Sequence, residues 1–305
     1  MPRSPHLSIA MGAEWVQQLM CISAAPVAAH PELFGPVASY NSPLADKVKT
    51  DVLNTFESCL VVMLMVAGSL AFLLLVHHLW PTDQRQPHND LIGWQVTVLG
   101  TTYAVVIGFM LYAVWTTFQL ASENAEAEAN SLVNVVRSAQ GLPDAQRQEI
   151  QDLGKEYVNL MLTQEWPAMN RVIVSHESDR AVRKLWAVIT KTETRNSTEQ
   201  TSRDHAFSEL SQMTEHRRFR QLQVVSALPG ILWAVLIAGA IVTIVSACLF
   251  GGADLKLHFV QVGALALMVS LVLVAIADIN RPFQGSVHVP PIGFERAQAT
   301  LAQMK

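Results

Sequence analysis

From Leu91 to Ser122 the chain runs through 32 consecutive residues without a charge. A bilayer core takes about 20 helical residues at about 1.5 Å each, so this run is long enough to cross and to project beyond. Immediately after it stands SENAEAEAN, with Glu123, Glu126 and Glu128 and no proline in between. One helix is therefore predicted from Leu91 through Asn130, passing from hydrocarbon into water. Three further windows avoid the cost of about 2.5 to 3.5 kcal/mol for a charge at mid-bilayer: Leu60 to Trp80, Leu228 to Phe250 and Phe259 to Ala277. Only 15% of residues are charged, against about 25% in an ordinary soluble domain. Membrane insertion explains that deficit.

The expected fold is all-α: an integral membrane protein with four transmembrane helices in two hairpins and a helical cytoplasmic domain between spans 2 and 3. The segments are 1–52, a poorly defined N-terminal extension; 53–118, the first hairpin; 119–227, the cytoplasmic helices; 228–279, the second hairpin; and 280–305, a cytoplasmic tail. Residues 119–227 carry 13 Lys and Arg, whereas Pro81 to Asp90 has one Arg and Gly251 to Leu257 one Lys. The positive-inside bias places the long segment, and with it both termini, in the cytoplasm. Within the extension, Ser8 to Ala29 is mildly apolar but interrupted by Glu14, Gln17 and Gln18, and resembles a signal peptide only loosely.

The polar segment shows helical spacing at Ile150, Leu153, Tyr157, Leu160, Met161 and Gln164, and again at Val182, Leu185, Trp186 and Ile189. Helix boundaries are expected near 141, 170, 192 and 200. In GLPDAQ, Gly141 suits a left-handed C-terminal cap and Pro143 an early helical position. Thr192 to Ser202, polar and rich in cap-type residues, is the expected loop.

Several elements are candidates for function. Thr101, Val105, Phe109, Tyr112 and Thr116 recur every three or four residues along the second span, and Gly100, Ala104 and Gly108 sit beside them, where helices could approach closely. Such a face is either packing inside a bundle or, in symmetric copies, the wall of a pore whose apolar ring could gate by dewetting. Ahead of the span, Asn89 or Asp90 can cap the first amides of the helix. His88, His77, His78 and His258 read as interfacial residues, since no two have the spacing of a helical metal pair. Glu126 and Asn130 lie one turn apart on a charged face, and Glu126 or Glu128 is expected to pair with Arg217 or Arg218. Asp278 and Arg281 return the last span to water, and Pro282 ends its helix.

Catalytic motifs, metal-ligand spacings and a disulfide framework are absent from the sequence, so neither an enzyme nor a cofactor or metal site is expected. The net charge of −4 argues against nucleic acid as a partner.

Taken together, PHNDLIG, TTYAVVIGFMLYAVW, AEAEANSL, GLPDAQR, Glu165-Trp166-Pro167, LPGILW and INRPFQG resemble the bacterial bestrophin-like membrane proteins, over roughly residues 53 to 296. More remotely the chain is similar to the bestrophin anion channels, in the Gly108-Phe109 pair and in INRPFQG, where Arg281, Pro282 and Phe283 stand near an Asn-Pro-Phe-Gly motif. The resemblance implies a homopentamer in the bacterial inner membrane, with the second helix lining an anion-conducting pore, its neck at Thr101, Val105 and Phe109. It does not carry calcium activation with it, because SVHVPP stands where those channels have an acidic run. The functional expectation is an oligomeric ion channel passing inorganic anions such as chloride. The alternative is a non-conducting membrane scaffold acting through its cytoplasmic helices.

Overall fold

A computed structural model describes residues 55–252 and 254–304, and the N-terminal extension with Cys21 lies outside the described residues. Among the described residues there is no strand. Four helices among the described residues are long and apolar enough to cross a bilayer: α1 (Thr55–Leu79), α2 (Asn89–Ser138), α6 (Gly230–Leu249) and α7 (Leu255–Ile279). Between α2 and α6 lie α3 (Asp144–Leu160), α4 (Asp179–Lys191) and α5 (Ser197–Val225), and α8 (Ile292–Gln303) closes the chain.

Two cores result. An apolar layer packs the first half of α2 with α1, α6 and α7 around Leu73, Tyr103, Val114, Leu236, Ala266 and Ile276. A second core gathers the other half of α2 with α3, α4, α5 and α8 around Leu132, Ile150, Tyr157, Leu185, Leu210 and Phe294. Helix α2 belongs to both. Its 50 residues make a rod of about 75 Å at about 1.5 Å per residue, more than twice an apolar core of about 30 Å. No proline or glycine interrupts it after Gly108, so nothing in the sequence breaks its hydrogen-bond ladder where the environment changes.

Prolines set the ends instead. Pro81 follows α1, Pro229 precedes α6, Pro282 follows α7 and Pro291 precedes α8; each lacks an N–H and fixes its φ. Asp254 caps α7 by accepting from the Lys256 amide at 2.9 Å. Boundaries in the polar layer fall where periodicity and turn residues place them, with three differences. Gly141 is not in the left-handed region; a Cβ there would come 2.1 Å from Ser202 Oγ, so the position needs space rather than conformational freedom. The expected loop to Ser202 is shorter, because α5 already starts at Ser197. Asn196 Oδ1 accepts from the Glu199 amide at 2.8 Å while Glu199 reaches back to the Arg195 amide at 2.7 Å, a reciprocal cap that turns this polar stretch into a helix start.

The third difference is in the stripe of α3. Ile150, Leu153, Tyr157 and Met161 are buried as expected, but Gln164 is exposed and Glu165 takes the inward position. Residues Met161–Glu165 form a single π-helical turn. The wider turn inserts one residue into the register and rotates Glu165 into the core.

Candidate functional site

Two opposite faces of α2 have different fates. On one, Tyr103, Ile107, Met110 and Val114 pack into the apolar core. The Tyr103 hydroxyl donates to the Leu236 carbonyl at 3.1 Å. Its ring lies against Gly239, where a Cβ would stand 2.5 Å from the ring; only glycine leaves that room. On the other face, Val105 is 54% exposed, Phe109 66% and Tyr112 68%, with Thr101 exposed and Thr116 half-buried. The stripe continues without a break in spacing through Gln119, Glu123, Glu126 and Asn130, all exposed. The most apolar window of this helix is 6% buried, against 33% for α6 and for α7. The chain itself therefore leaves this face of α2 bare.

The chemistry of the bare face is mostly methyl and ring. Thr101 donates its hydroxyl hydrogen to the Thr97 carbonyl at 2.8 Å, and Thr116 to the Tyr112 carbonyl at 2.9 Å, so these hydroxyls are satisfied within the helix. Gly100 and Gly108 have no atom within 4 Å of where a Cβ would stand. The close helix approach expected of them is not made within one chain.

Below this stripe the opposite side of α2 is sealed by charge. Ala121, Ala125, Glu128, Leu132 and Val135 form its inward stripe, continued by Ala139 just past its end, and Ala206, Leu210, Met213, Arg217, Arg220 and Val224 form that of α5. Both repeat every three or four residues, and they meet along the helix pair. Arg220, 1% exposed, grips Glu128 through Nε at 2.6 Å and Nη2 at 3.1 Å, and reaches Glu165 at 3.2 Å. Arg217 reaches the other oxygen of Glu165 at 3.1 Å and Asp179 at 2.7 Å. The Tyr157 hydroxyl donates to Glu128, and the Ser178 hydroxyl to Glu165. Four helices and the π turn are thus tied through two buried carboxylates.

Electrostatics follow from that geometry. Burial, then the Glu128 carboxylate, pushes the Tyr157 phenol well above its ordinary value, so it stays a neutral donor. Burial opposes the charge of Arg220, but Glu128 beside it more than offsets this and the guanidinium is held above its usual range. Arg217 is raised too, against burial, with Tyr157 and Glu165 adjacent. Taking such ions out of water costs several kcal/mol apiece, so this network rests on each charge having an opposite charge beside it, although Arg217 Nε itself has no hydrogen-bond partner among the described residues.

The sequence expectation for these charges is corrected in its partners. Glu128 meets Arg220, not Arg217 or Arg218; Arg217 pairs with Glu165 and Asp179. Glu126 and Asn130 stay on the surface, as does Arg218. Arg220 was legible as a charge standing at a buried position of an apolar repeat, a signal that reading each charge run as a solvated face passes over; Glu165 was not, because the repeat of α3 points to Gln164.

The loops joining the apolar helices are also built. The expected cap by Asn89 or Asp90 is not made: His88 occupies the cap position without a side-chain bond. Asn89 instead donates to the Gly251 carbonyl at 3.0 Å and accepts from its amide at 2.8 Å. A Cβ on Gly251 would meet the Gln86 nitrogen at 2.9 Å, which is why this clamp closes on glycine. Arg85, 1% exposed, donates to the carbonyls of Cys248 at 3.0 Å and Phe250 at 3.3 Å, stapling the two loops together. His77 stands beside Thr82 and Arg85, whereas His258 contacts the Ala247 carbonyl; His88 and Asp90 are exposed.

After α7, Asp278 accepts from the Ser286 and Val287 amides at 3.1 and 3.2 Å around Gly285, whose φ of 83° suits glycine. Arg281 donates to Gln284 at 3.4 Å, Pro282 is buried, and Phe283 meets Trp166 edge-on at 5.7 Å. This turn joins the last apolar helix to the polar core.

A long α2 shared by an apolar four-helix layer and a polar helical layer defines a multi-pass helical membrane protein of bestrophin-like fold. The chain matches the Bestrophin-like domain over residues 63–294. It belongs to the bestrophin-like family. Solved structures of variants of a bacterial bestrophin homologue from Klebsiella pneumoniae share its fold. One, at 11% identity, has a TM-score of 0.59 and covers 80% of this chain and 97% of that one. Another, at 12% identity, has a TM-score of 0.57 over the same shares of both chains. A third, at 13% identity, gives 0.54, again over 80% and 97%. No curated protein matches the chain.

Proposed function

We propose that several copies of this chain, a pentamer by the family resemblance, surround an ion-conducting path lined by the bare face of α2. Thr101, Val105 and Phe109 form the neck, with Tyr112 and Thr116 below them. Anions such as chloride are the ions that the resemblance implies. The observation that carries the reading is the stripe from Thr101 to Asn130, exposed at each position but the half-buried Thr116, on a helix whose opposite face packs into both cores. A monomer would leave Phe109 and Tyr112 to lipid, and Glu123 and Glu126 to water, on one and the same line of the helix; a ring of copies gives that line a single role. The apolar layer spans the inner membrane, and residues 119–227 and both termini lie in the cytoplasm, which the charge bias of the loops supports.

In such a path Glu123 stands two turns below Thr116. Carboxylate rings favour cations, so Glu123 acts against the anion preference of the neck. The test is purified protein in planar bilayers under a potassium chloride gradient. Conductance altered by Phe109→Ala, and a reversal potential moved toward that of chloride by Glu123→Gln, are the expected results. Electrical silence with verified insertion, or currents indifferent to both substitutions, would sink the proposal.

A further inference from the structure

Three of the apolar helices leave a groove between them. Its cavity of about 560 Å³ is lined by α1 from Val61 to Phe72, by α6 from Trp233 to Val245 and by α7 from Leu273 to Ala277. That volume lies within the range of about 300 to 1,000 Å³ common for small-molecule sites. No charged residue lines it, and its one hydroxyl, Ser69, donates to the Met65 carbonyl at 2.7 Å. Gly68 stands in the wall with no atom within 4 Å of where a Cβ would be. From Trp233 to Val245 helix α6 rises about 18 Å at about 1.5 Å per residue, while one leaflet of hydrocarbon is about 15 Å deep. The groove therefore has the depth of one leaflet, the reach of a single lipid chain.

One end of the groove carries a positive charge. There α1 and α6 begin and α7 ends, and the Leu228 amide donates to Asn280 Oδ1 at 2.8 Å, which holds the ends of α6 and α7 at one level. Asn280 keeps helical dihedrals after α7, so at about 100° per residue Arg281 falls on the arc between Leu273 and Val274 that lines the groove. Arg281 is half-buried, and its one hydrogen bond among the described residues goes to Gln284 Oε1, at 3.4 Å. Burial holds its guanidinium below the usual range, and the Asp278 carboxylate is engaged by the amides of Ser286 and Val287 instead. A guanidinium presents its donors in a flat fork that matches the oxygens of phosphate. Trp233, half-buried at the same end, is an amphipathic ring of the kind that settles at headgroup level. We propose that this groove is a phospholipid site, with one acyl chain lying along Gly68 and the phosphate diester held by Arg281. No residue of α2 lines it, so the site is separate from the conducting path.

The test titrates full-length protein in detergent with phosphatidylglycerol brominated on its acyl chains, which quenches tryptophan emission at close range. The part of the quenching removed by Trp233→Phe reports this groove, and no current is measured, so the outcome is independent of conduction. Saturable quenching through Trp233 is expected, weakened at least tenfold by Arg281→Gln and only in part by Arg281→Lys. Brominated diacylglycerol, which has the chains without the phosphate, should bind at least tenfold more weakly to the native chain. Gly68→Leu places a side chain in open space, fills the groove independently of the turn at Arg281, and should abolish the quenching. Melting temperatures no lower than that of the native chain, without lipid, verify that the variants fold. Equal affinity for the diacylglycerol and the phospholipid would overturn the proposal, as would quenching that is absent through Trp233 or indifferent to Gly68→Leu. Loss of oligomer on size-exclusion chromatography in Gly68→Leu, with no lipid quenching in the native chain, would assign the groove to a second copy instead.

Discussion

The two faces of α2 carry the same repeat of three and four residues and end in different surroundings. Along one, Ala121, Ala125, Glu128 and Leu132 are sealed by α5, down to a carboxylate with no exposure at all. Along the other, Val105, Phe109, Tyr112, Glu123 and Glu126 meet nothing of their own chain that hides them. Periodicity identifies a helix face that matters; it does not say whether the face is covered from within the chain or from outside. The carboxylates make the contrast sharpest. Glu126 and Glu128 are two residues apart, so they point about 160° away from each other on a helix that turns 100° per residue, and only Glu128 finds a cation.

Five substitutions would break or sharpen this contrast. The largest effect is expected on the covered face: Glu128→Leu or Arg220→Met alone should cost about 3 to 5 kcal/mol, because each leaves a buried charge without its partner. The double variant should recover part of that loss, measured by denaturant unfolding in detergent. If both singles are nearly neutral, the network is not dry and the argument from charge pairing fails. Next, Gly239→Val should drive a side chain into the Tyr103 ring, costing about 1 to 3 kcal/mol as overpacking, with a fall in melting temperature as the readout. Tyr157→Phe removes one hydrogen bond to Glu128 and should cost about 1 to 3 kcal/mol if the acceptor is left short of a donor. Smallest in stability is Phe109→Ala on the bare face, within about 0.5 kcal/mol in the isolated chain. A large loss of oligomer on size-exclusion chromatography, with monomer stability kept, would show that the bare face is covered by other copies.

The tyrosine also predicts a pH response. Its phenol is raised by burial and by Glu128, so the folded state favours the protonated form. The contribution is complete below the unfolded value of about 10 and declines as pH rises above it. Unfolding midpoints of the native chain should therefore fall in strongly alkaline buffer more than those of Tyr157→Phe.

Much of the architecture was legible in the residues. Uncharged runs gave the four apolar helices, Pro282 gave the end of the last, and the absence of a proline before the glutamates gave a single rod through Asn130. Local chemistry misled where a residue type serves two purposes. Asn89 reads as a helix cap and is a clamp on Gly251, 162 residues away; Gly141 reads as a left-handed C-terminal cap and is a gap for Ser202. The stripe on α3 reads toward Gln164, and a π turn delivers Glu165 instead. That turn has no signature in residue spacing, since it appears only when the register slips.

By itself, then, the sequence determined an all-helical chain with membrane-length apolar helices and a shared central rod, because charge in hydrocarbon is costly and helical period is local. Only the tertiary structure decided which charges are partners and which face of α2 is left bare. Pairing of Glu128 with Arg220 joins positions 92 residues apart, and exposure depends on what every other helix covers; neither is a property of any stretch of chain read alone.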